Sequence, residues 1–230
     1  MHKRIFIFLF LLVPVLCTAQ KAKPKNDSNY DERLLHFGFS MGVNTMDFNI
    51  KMNPSSDLLA EVVSLRPGIN IQIVSDFRPS TYFDFRFLPG VSFGQRDIYF
   101  YRNGELINDK QQLESSFLEF PLVMKAKGMR LNNSRPYLIA GMNFRYDLAA
   151  KKEYDDERPI YLRLRRADLY YEAGAGIDFY LPYFKLTIEA KMSNGLRDIL
   201  IHEPAPGYPQ YAEAIQLMRS QIWVLSFHFE

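Results

Sequence analysis

Apolar and polar residues alternate strictly along the stretch from Tyr137 to Ala150. Every second position there is apolar, and the positions between them include Asn143, Arg145 and Asp147. Side chains on a β-strand alternate between its two faces, so this strand has one apolar face and one charged face. An apolar face toward lipid and a polar face toward an interior are typical of membrane β-barrels.

The same alternation recurs along the chain and predicts eight strands. They begin near Leu35, Val63, Phe83, Leu118, Tyr137, Leu169, Phe184 and Trp223. Pro67-Gly68 and Pro89-Gly90 predict irregularities in the second and third strands, because proline has no N–H to donate to a neighbouring strand. An even number of antiparallel strands returns the chain to the side of the membrane from which it started.

The connections between the predicted strands alternate in length. Long polar loops follow the first, third, fifth and seventh strands, including residues 102–112 and 151–166. Short turns follow the second, fourth and sixth strands. Bacterial outer-membrane barrels have long extracellular loops and short periplasmic turns. We therefore predict an all-β fold, an eight-stranded antiparallel transmembrane β-barrel of the outer-membrane type, with both termini in the periplasm.

A soluble periplasmic carrier of the lipocalin kind is the alternative fold. Such a barrel has an apolar cavity and a polar exterior. In that case the charged rows would face water and the phenylalanine rows would face inward.

The N-terminus has the pattern of a secretory signal peptide. A charged start is followed by an apolar run, residues 5–16, and by a small-residue cleavage site at residues 17–19. The apolar run is shorter than the roughly 20 residues that span a bilayer as a helix. The predicted organisation is a signal peptide over residues 1–19, a flexible periplasmic segment over residues 20–34 and a barrel domain over residues 35–230.

Composition narrows the functional classes. Aromatic residues make up 15% of the chain, which favours β structure and lipid–water interfaces. The net charge of +2 gives no indication of a nucleic-acid partner. The single cysteine, Cys17, leaves with the signal peptide, so a disulfide or a thiolate metal site is excluded from the mature chain. We expect no cofactor and no small-molecule substrate.

Charged residues on the polar faces of the fourth to seventh strands are expected to point into the barrel. An eight-stranded barrel has just enough room for its own side chains, and charges there must be paired or hydrated. We interpret the set as a structural network of ion pairs. It comprises Glu119, Lys125, Lys127, Arg145, Asp147, Glu172, Asp178, Lys185, Glu189 and Lys191.

Two predicted loops contain residues that could carry chemistry. His202 lies beside Glu203 in the last long loop, and a lipid A-modifying outer-membrane enzyme is the catalytic alternative that this pair allows. No metal-ligand spacing or nucleophile motif accompanies it, so we predict a protein without enzymatic activity. The loop after the fifth strand is rich in cations that suit lipopolysaccharide phosphates or a protein partner. These candidate contact residues are Lys151, Lys152, Arg158, Arg163, Arg165 and Arg166.

Long runs of the sequence resemble the PorT family. The run RLNNSRPYLIAGMNFRYDLAAKKEYDDE covers residues 130–157, and DLYYEAGAGIDFYLPYFKLTIEAKMSNGLRDIL covers residues 168–200. LRPGINIQIVSDFR and FRFLPGVSFGQR carry the same resemblance over residues 65–78 and 85–96. The resemblance extends over nearly the whole mature chain.

This resemblance implies an outer-membrane barrel required by the type IX secretion system. That system exports proteins with a C-terminal signal, including proteases and adhesins of gliding motility. Members of the family are implied to be accessory components that act through other type IX secretion proteins, and they have no established catalytic residues. The hypothesis that follows is a non-enzymatic barrel that supports secretion through protein contacts.

Overall fold

The computed structural model describes residues 26, 30, 32–150, 162–203 and 209–230. The predicted signal peptide and most of the predicted flexible segment lie outside these ranges. In the described ranges the chain forms twelve strands and one short helix. They are β1 (Leu35–Met52), β2 (Leu58–Leu65), β3 (Pro67–Phe77), β4 (Phe83–Phe87), β5 (Gly90–Arg102), β6 (Glu105–Lys127), β7 (Ser134–Asp147), β8 (Arg163–Leu164), β9 (Ala167–Tyr180), β10 (Lys185–Gly195), β11 (Leu200–Ile201), α1 (Pro209–Glu213) and β12 (Ile215–Phe229).

Ten of these strands form one antiparallel sheet whose pairing runs in a ring. β1 pairs with β12 on one side and with β3 on the other. β2 and β3 follow one another along one position of the sheet, and they pair with the neighbouring position, which β4 and β5 occupy in the same way. We call each such position a stave, so the ten strands of the described sheet form eight staves. The predicted irregularities are breaks between strands, one at Arg66 before Pro67 and one at Leu88-Pro89. The predicted eight-stranded antiparallel fold is therefore confirmed.

The outer surface of the ring is apolar and the inner surface is charged. Phe37 is 67% exposed and Leu138 is 64% exposed, whereas Arg86, Lys125 and Arg145 are almost completely buried. This arrangement is the reverse of a lipocalin, in which apolar side chains face inward. The soluble-carrier alternative is wrong for that reason.

The predicted long loop over residues 102–112 is also wrong. β5 continues to Arg102 and β6 begins at Glu105, so only Asn103 and Gly104 connect them. Both have positive φ angles, 51° and 83°, as the favoured two-residue hairpin turns require. In this region β5 and β6 extend beyond the band of exposed apolar side chains that surrounds the ring. Their outward positions there face water and need not be apolar. The polar composition of this segment therefore resembled a loop.

β6 and β12 likewise begin earlier than the apolar pattern predicts. β6 begins at Glu105, although apolar alternation starts near Leu118, and β12 begins at Ile215, although it starts near Trp223. The extra residues pair with neighbouring strands at the end of the barrel that carries the longer connections. Among the described residues, no helix is long and apolar enough to cross a membrane.

Candidate functional site

The barrel interior contains all ten charged residues that the strand pattern directed inward. Each is at most 6% exposed. They come from four neighbouring staves, β6, β7, β9 and β10. They are Glu119, Lys125, Lys127, Arg145, Asp147, Glu172, Asp178, Lys185, Glu189 and Lys191. Nine of them are ion-paired or hydrogen-bonded to another buried charged side chain. The tenth, Asp147, accepts hydrogen bonds from backbone N–H groups instead.

A central layer of the interior is organised around Glu172 on β9. The Arg145 guanidinium lies 3.2 Å from one carboxylate oxygen of Glu172, and Lys191 Nζ lies 3.1 Å from the other. Arg145 Nε also lies 2.9 Å from Glu119 Oε1. The side-chain amide of Asn143 donates a further hydrogen bond of 2.8 Å to Glu172 Oε1. Both carboxylates are thus held by cations from neighbouring staves.

A second layer lies nearer the short turns. Lys125 Nζ donates to both carboxylate oxygens of Asp178 at 2.8 Å and lies 3.9 Å from the centroid of the Tyr137 ring. The Tyr137 hydroxyl donates to Glu189 Oε2 at 2.7 Å. His228 Nε2 lies 3.6 Å from the other oxygen of Glu189. These contacts fill the cross-section with side chains from β6, β7, β9, β10 and β12.

At the turn end, the interior is completed by charges that the sequence reasoning did not include. Arg86 lies 2.9 Å from Asp76 Oδ2 and 3.1 Å from Glu230 Oε1, and Lys127 pairs with Asp84. The signal was present in the sequence, because Asp84 and Arg86 alternate with phenylalanines in β4. The prediction considered only the fourth to seventh strands and so missed these residues.

Tyr30, which precedes β1, closes this end of the barrel. Its hydroxyl donates to Glu230 Oε2 at 2.8 Å and accepts from Lys185 Nζ at 2.6 Å. Its ring stacks on His36 with 3.9 Å between centroids. Burial raises the pKa of the Tyr30 phenol, and the Glu230 carboxylate raises it further, so the phenol remains a neutral donor. The described part of the N-terminal segment is therefore tied into the barrel interior.

The opposite end is closed by an apolar cluster and not by charges. Side chains of the extended strands meet α1 and the small β8–β11 sheet there. The buried members are Phe48, Leu58, Ile98, Phe100, Leu162, Ile199, Leu200, Tyr211, Ala214, Ile215 and Met218. The fully buried Arg96 lies beneath this cluster, stacked 3.9 Å from the Phe48 ring centroid and bonded to the hydroxyls of Ser115 and Ser220.

Among the ten predicted interior charges, Asp147 is the one that forms no ion pair in the layers described above. Its Oδ1 accepts hydrogen bonds from the backbone N–H of Ser116 at 3.1 Å and of Ala149 at 2.9 Å. A cavity of about 10 Å³ lies beside it, also lined by Arg96 and Arg166. That volume accommodates about one water molecule. It is far too small for an organic substrate.

The predicted cationic loop is only partly described. Lys151, Lys152 and Arg158 lie outside the described residues. Arg163 pairs with Glu203 at 2.6 Å, and Arg166 Nε donates to the backbone carbonyl of Ala150. Arg165 is exposed. These three arginines lie within residues 163–166, at the same end of the barrel.

His202 pairs with Asp198, four residues earlier, and not with a hydroxyl nucleophile. Its Nε2 lies 2.9 Å from Asp198 Oδ2. Burial alone would raise the pKa of Asp198, but hydrogen bonds from His202 and from the backbone of Met218 and Leu200 lower that pKa below its ordinary value. Within the described ranges, no group of three or more histidine and carboxylate side chains is arranged to hold a metal ion.

A ring of antiparallel strands with an apolar exterior and an interior filled by ion pairs defines a small β-barrel of the outer-membrane class. The chain belongs to the outer membrane protein beta-barrel domain family, whose model matches residues 18–200. It is accordingly a bacterial outer-membrane protein. No curated protein sequence matches the chain.

Three solved structures align with most of the chain. The outer membrane protein OprG from Pseudomonas aeruginosa aligns at a TM-score of 0.46 and 10% identity, covering 85% of this chain and 92% of that chain. The attachment invasion locus protein Ail of Yersinia pestis aligns at 0.39 and 13% identity, covering 84% and 96%. The N-terminal β-barrel domain of OprF from Pseudomonas aeruginosa aligns at 0.36 and 9% identity, covering 83% and 97%.

Proposed function

We propose that this protein is a non-enzymatic accessory component of a type IX secretion system and acts through protein contacts. The PorT-like runs over residues 65–78, 85–96, 130–157 and 168–200 support the assignment to this system. The cargo would carry a C-terminal signal, as do the proteases and gliding adhesins that this system exports.

The filled interior is the observation that supports a role through contacts. Ion pairs cross the barrel at Glu172 and at Asp178, and both ends are covered by packed side chains. Passage of folded cargo through this interior would require the ion pairs of those layers to be broken. A buried ion pair that loses one partner costs about 3–5 kcal/mol, so opening several together is strongly disfavoured. Partner binding is therefore assigned to the outer ends of the barrel.

The turn between β6 and β7 is our candidate for a periplasmic contact. Met129 is 74% exposed and Leu131 is 63% exposed. Between them, Arg130 is stacked 3.7 Å from the Tyr180 ring centroid, which packs the turn against the end of β9. A packed turn with two exposed apolar side chains is suited to a protein partner. This assignment includes the proposal that both termini and the short turns face the periplasm.

The mouth with the longer connections is our candidate for an extracellular contact. Arg163, Arg165 and Arg166, together with Lys151, Lys152 and Arg158 of the same loop, are proposed to bind lipopolysaccharide phosphates or a type IX secretion protein. Guanidinium groups form paired hydrogen bonds with phosphate and carboxylate oxygens. No nucleic acid and no small-molecule substrate are included in the proposal.

A chromosomal deletion tests the secretion role. The expected result is that cargo with a C-terminal signal accumulates unprocessed in the periplasm and disappears from the cell surface. Complementation with the double variant M129S/L131S should restore less cargo than wild type. The matched control is L106S at the other end of the barrel, where Leu106 is 52% exposed. Normal surface cargo in the deletion strain contradicts the proposal.

A further inference from the structure

The outer surface changes from apolar to polar within a few residues on β1 and β12. Trp223 on β12 is 54% exposed, pairs with Thr45 and lies above the exposed Leu225 and Phe227. The next outward position along β12 is Gln221, opposite Asp47. Tryptophan is enriched at membrane–water interfaces. Trp223 therefore marks the edge of the hydrocarbon region on this side of the barrel.

Two exposed cations lie further along the same two strands, beyond Gln221 and Asp47. Arg219 is opposite Asn49, and Lys51 is opposite Leu217, so the two cations are diagonal neighbours on paired strands. Diagonal neighbours on one sheet face are about 7–8 Å apart, within reach of one another for long side chains. We name Lys51 and Arg219 the outer-surface cation pair.

Along β1 and β12, the acid closest to the pair is Asp47. It is half-buried, and its Oδ1 accepts a hydrogen bond of 2.7 Å from the N–H of Phe48. No described acidic side chain forms an ion pair with Lys51 or Arg219. The two cations therefore present positive charge on the membrane-facing surface.

The pair lies beyond the hydrocarbon edge, at the outer boundary of the lipid head groups and above it. Arg219 is four residues from Trp223, and Lys51 is opposite Leu217, six residues from Trp223. These separations correspond to ~10 Å and ~15 Å along the membrane normal for a strand that rises ~3.3 Å per residue and is tilted by ~40°. The head-group region begins where the hydrocarbon ends and extends for roughly 5–8 Å on each side. Arginine and lysine side chains are long enough to extend their charged ends back toward that layer.

We propose that Lys51 and Arg219 bind a phosphate group of a phosphorylated glycolipid in the outer leaflet, whose acyl chains lie against Trp223, Leu225 and Val43. The guanidinium of Arg219 would contact two phosphate oxygens, and Lys51 would act as a second point charge. The apolar side chains below the pair are exposed and are separated from it by the polar positions Gln221 and Asp47. This site differs from the cationic loop and rests on the barrel orientation proposed above.

Trp223 is the single tryptophan of the chain and provides a local probe. The full-length mature barrel is reconstituted in nanodiscs whose phosphatidylcholine carries brominated acyl chains, which quench tryptophan on contact. Diphosphorylated lipid A with ordinary acyl chains is then titrated in. Its binding at the pair displaces the quenching lipid and restores the fluorescence of Trp223.

Variants and lipids separate the possible outcomes. K51Q and R219Q should each weaken lipid A binding by about fivefold, the effect of one cation near an anionic surface. R102Q is the matched control, since Arg102 is an exposed cation at the tip of the β5–β6 hairpin, and its affinity should change by less than about twofold. Lipid A without phosphates should bind each protein equally weakly, and inorganic phosphate alone should leave the quenching unchanged.

The proposal is overturned if dephosphorylated lipid A binds as tightly as the diphosphorylated form, or if R102Q loses as much affinity as R219Q. Equal affinities of K51Q, R219Q and wild type overturn it as well. Heat-modified mobility on gels verifies that each variant is folded. Because this assay measures lipid binding on the purified barrel, its failure is distinguishable from failure of the secretion proposal, which is measured by cargo in cells.

Discussion

Lys125 Nζ donates hydrogen bonds of 2.8 Å to both carboxylate oxygens of Asp178, which is 53 residues later in the sequence. Both side chains are buried. The Thr187 hydroxyl also donates to Asp178 Oδ1, at 2.6 Å. The pair links β6 to β9 across the interior, although these staves are separated by β7 in the ring. It therefore connects staves that share no backbone hydrogen bonds.

Replacement of Asp178 by Asn should lower the free energy of unfolding by about 3–5 kcal/mol, because a buried Lys125 is left without its counter-charge. Urea unfolding in detergent measures the loss. The control is E114Q, which removes an exposed carboxylate on the outer face of β6 and should change stability by less than about 0.5 kcal/mol. Equal stability of the two variants would contradict the buried pair.

Replacement of Tyr30 by Phe should destabilise the barrel by about 1–3 kcal/mol. The variant keeps the ring that stacks on His36 but removes the hydroxyl between Lys185 and Glu230. Thermal unfolding in detergent measures the change. Y183F is the matched control, since Tyr183 is 96% exposed on the turn after β9. A wild-type melting temperature for Y30F would show that Tyr30 is not held in the interior.

Replacement of Gly104 by Ala should destabilise the β5–β6 hairpin by about 1–2 kcal/mol, the cost of a left-handed conformation for an ordinary residue. The φ angle is 83°, and nothing lies within 4 Å of an added Cβ, so the effect isolates backbone strain. Hydrogen exchange of residues 98–107 measures it. G104N should recover part of the loss, because asparagine tolerates this conformation. Equal protection in G104A and wild type would favour a flexible loop.

The connection around Asp198 should resist acid down to an unusually low pH. Its folded-state pKa is lowered, so the stability it contributes is present above the unfolded pKa of about 3.9 and is lost as pH falls through the still lower folded pKa. The hydrogen-exchange protection factors of residues 196–203, in which the intrinsic pH dependence of exchange is removed, should therefore be constant from pH 6 to about pH 4 and fall below that. In D198N the protection factors should be lower at pH 6 and lack this acid dependence.

Replacement of His202 by Ala should leave lipid A unchanged, because His202 pairs with Asp198 and we propose no enzymatic activity. Mass spectrometry of lipid A from strains that carry wild-type or H202A protein measures this. A wild-type-specific modification that is absent in H202A would establish the lipid-modifying alternative.

Alternation was sufficient to predict the faces of the strands. The two-residue period assigned Leu138 and Phe144 to the lipid side and Arg145 to the interior before any partner was known, and their exposures agree. The prediction of strands from this alternation failed where outward positions face water. Residues 105–112 then lose the apolar half of the pattern, and a strand cannot be told from a polar loop.

By itself, the sequence determined an antiparallel barrel of eight staves and ten of the charges inside it, because each strand has its own two-residue period. Only the tertiary structure determined which partner each of these charged side chains binds. Lys125 meets Asp178, Lys127 meets Asp84, and Asp147 binds backbone N–H groups. These contacts depend on the register between staves and on closure of the ring. Both are properties of the whole sheet, and the period of a single strand contains no information about them.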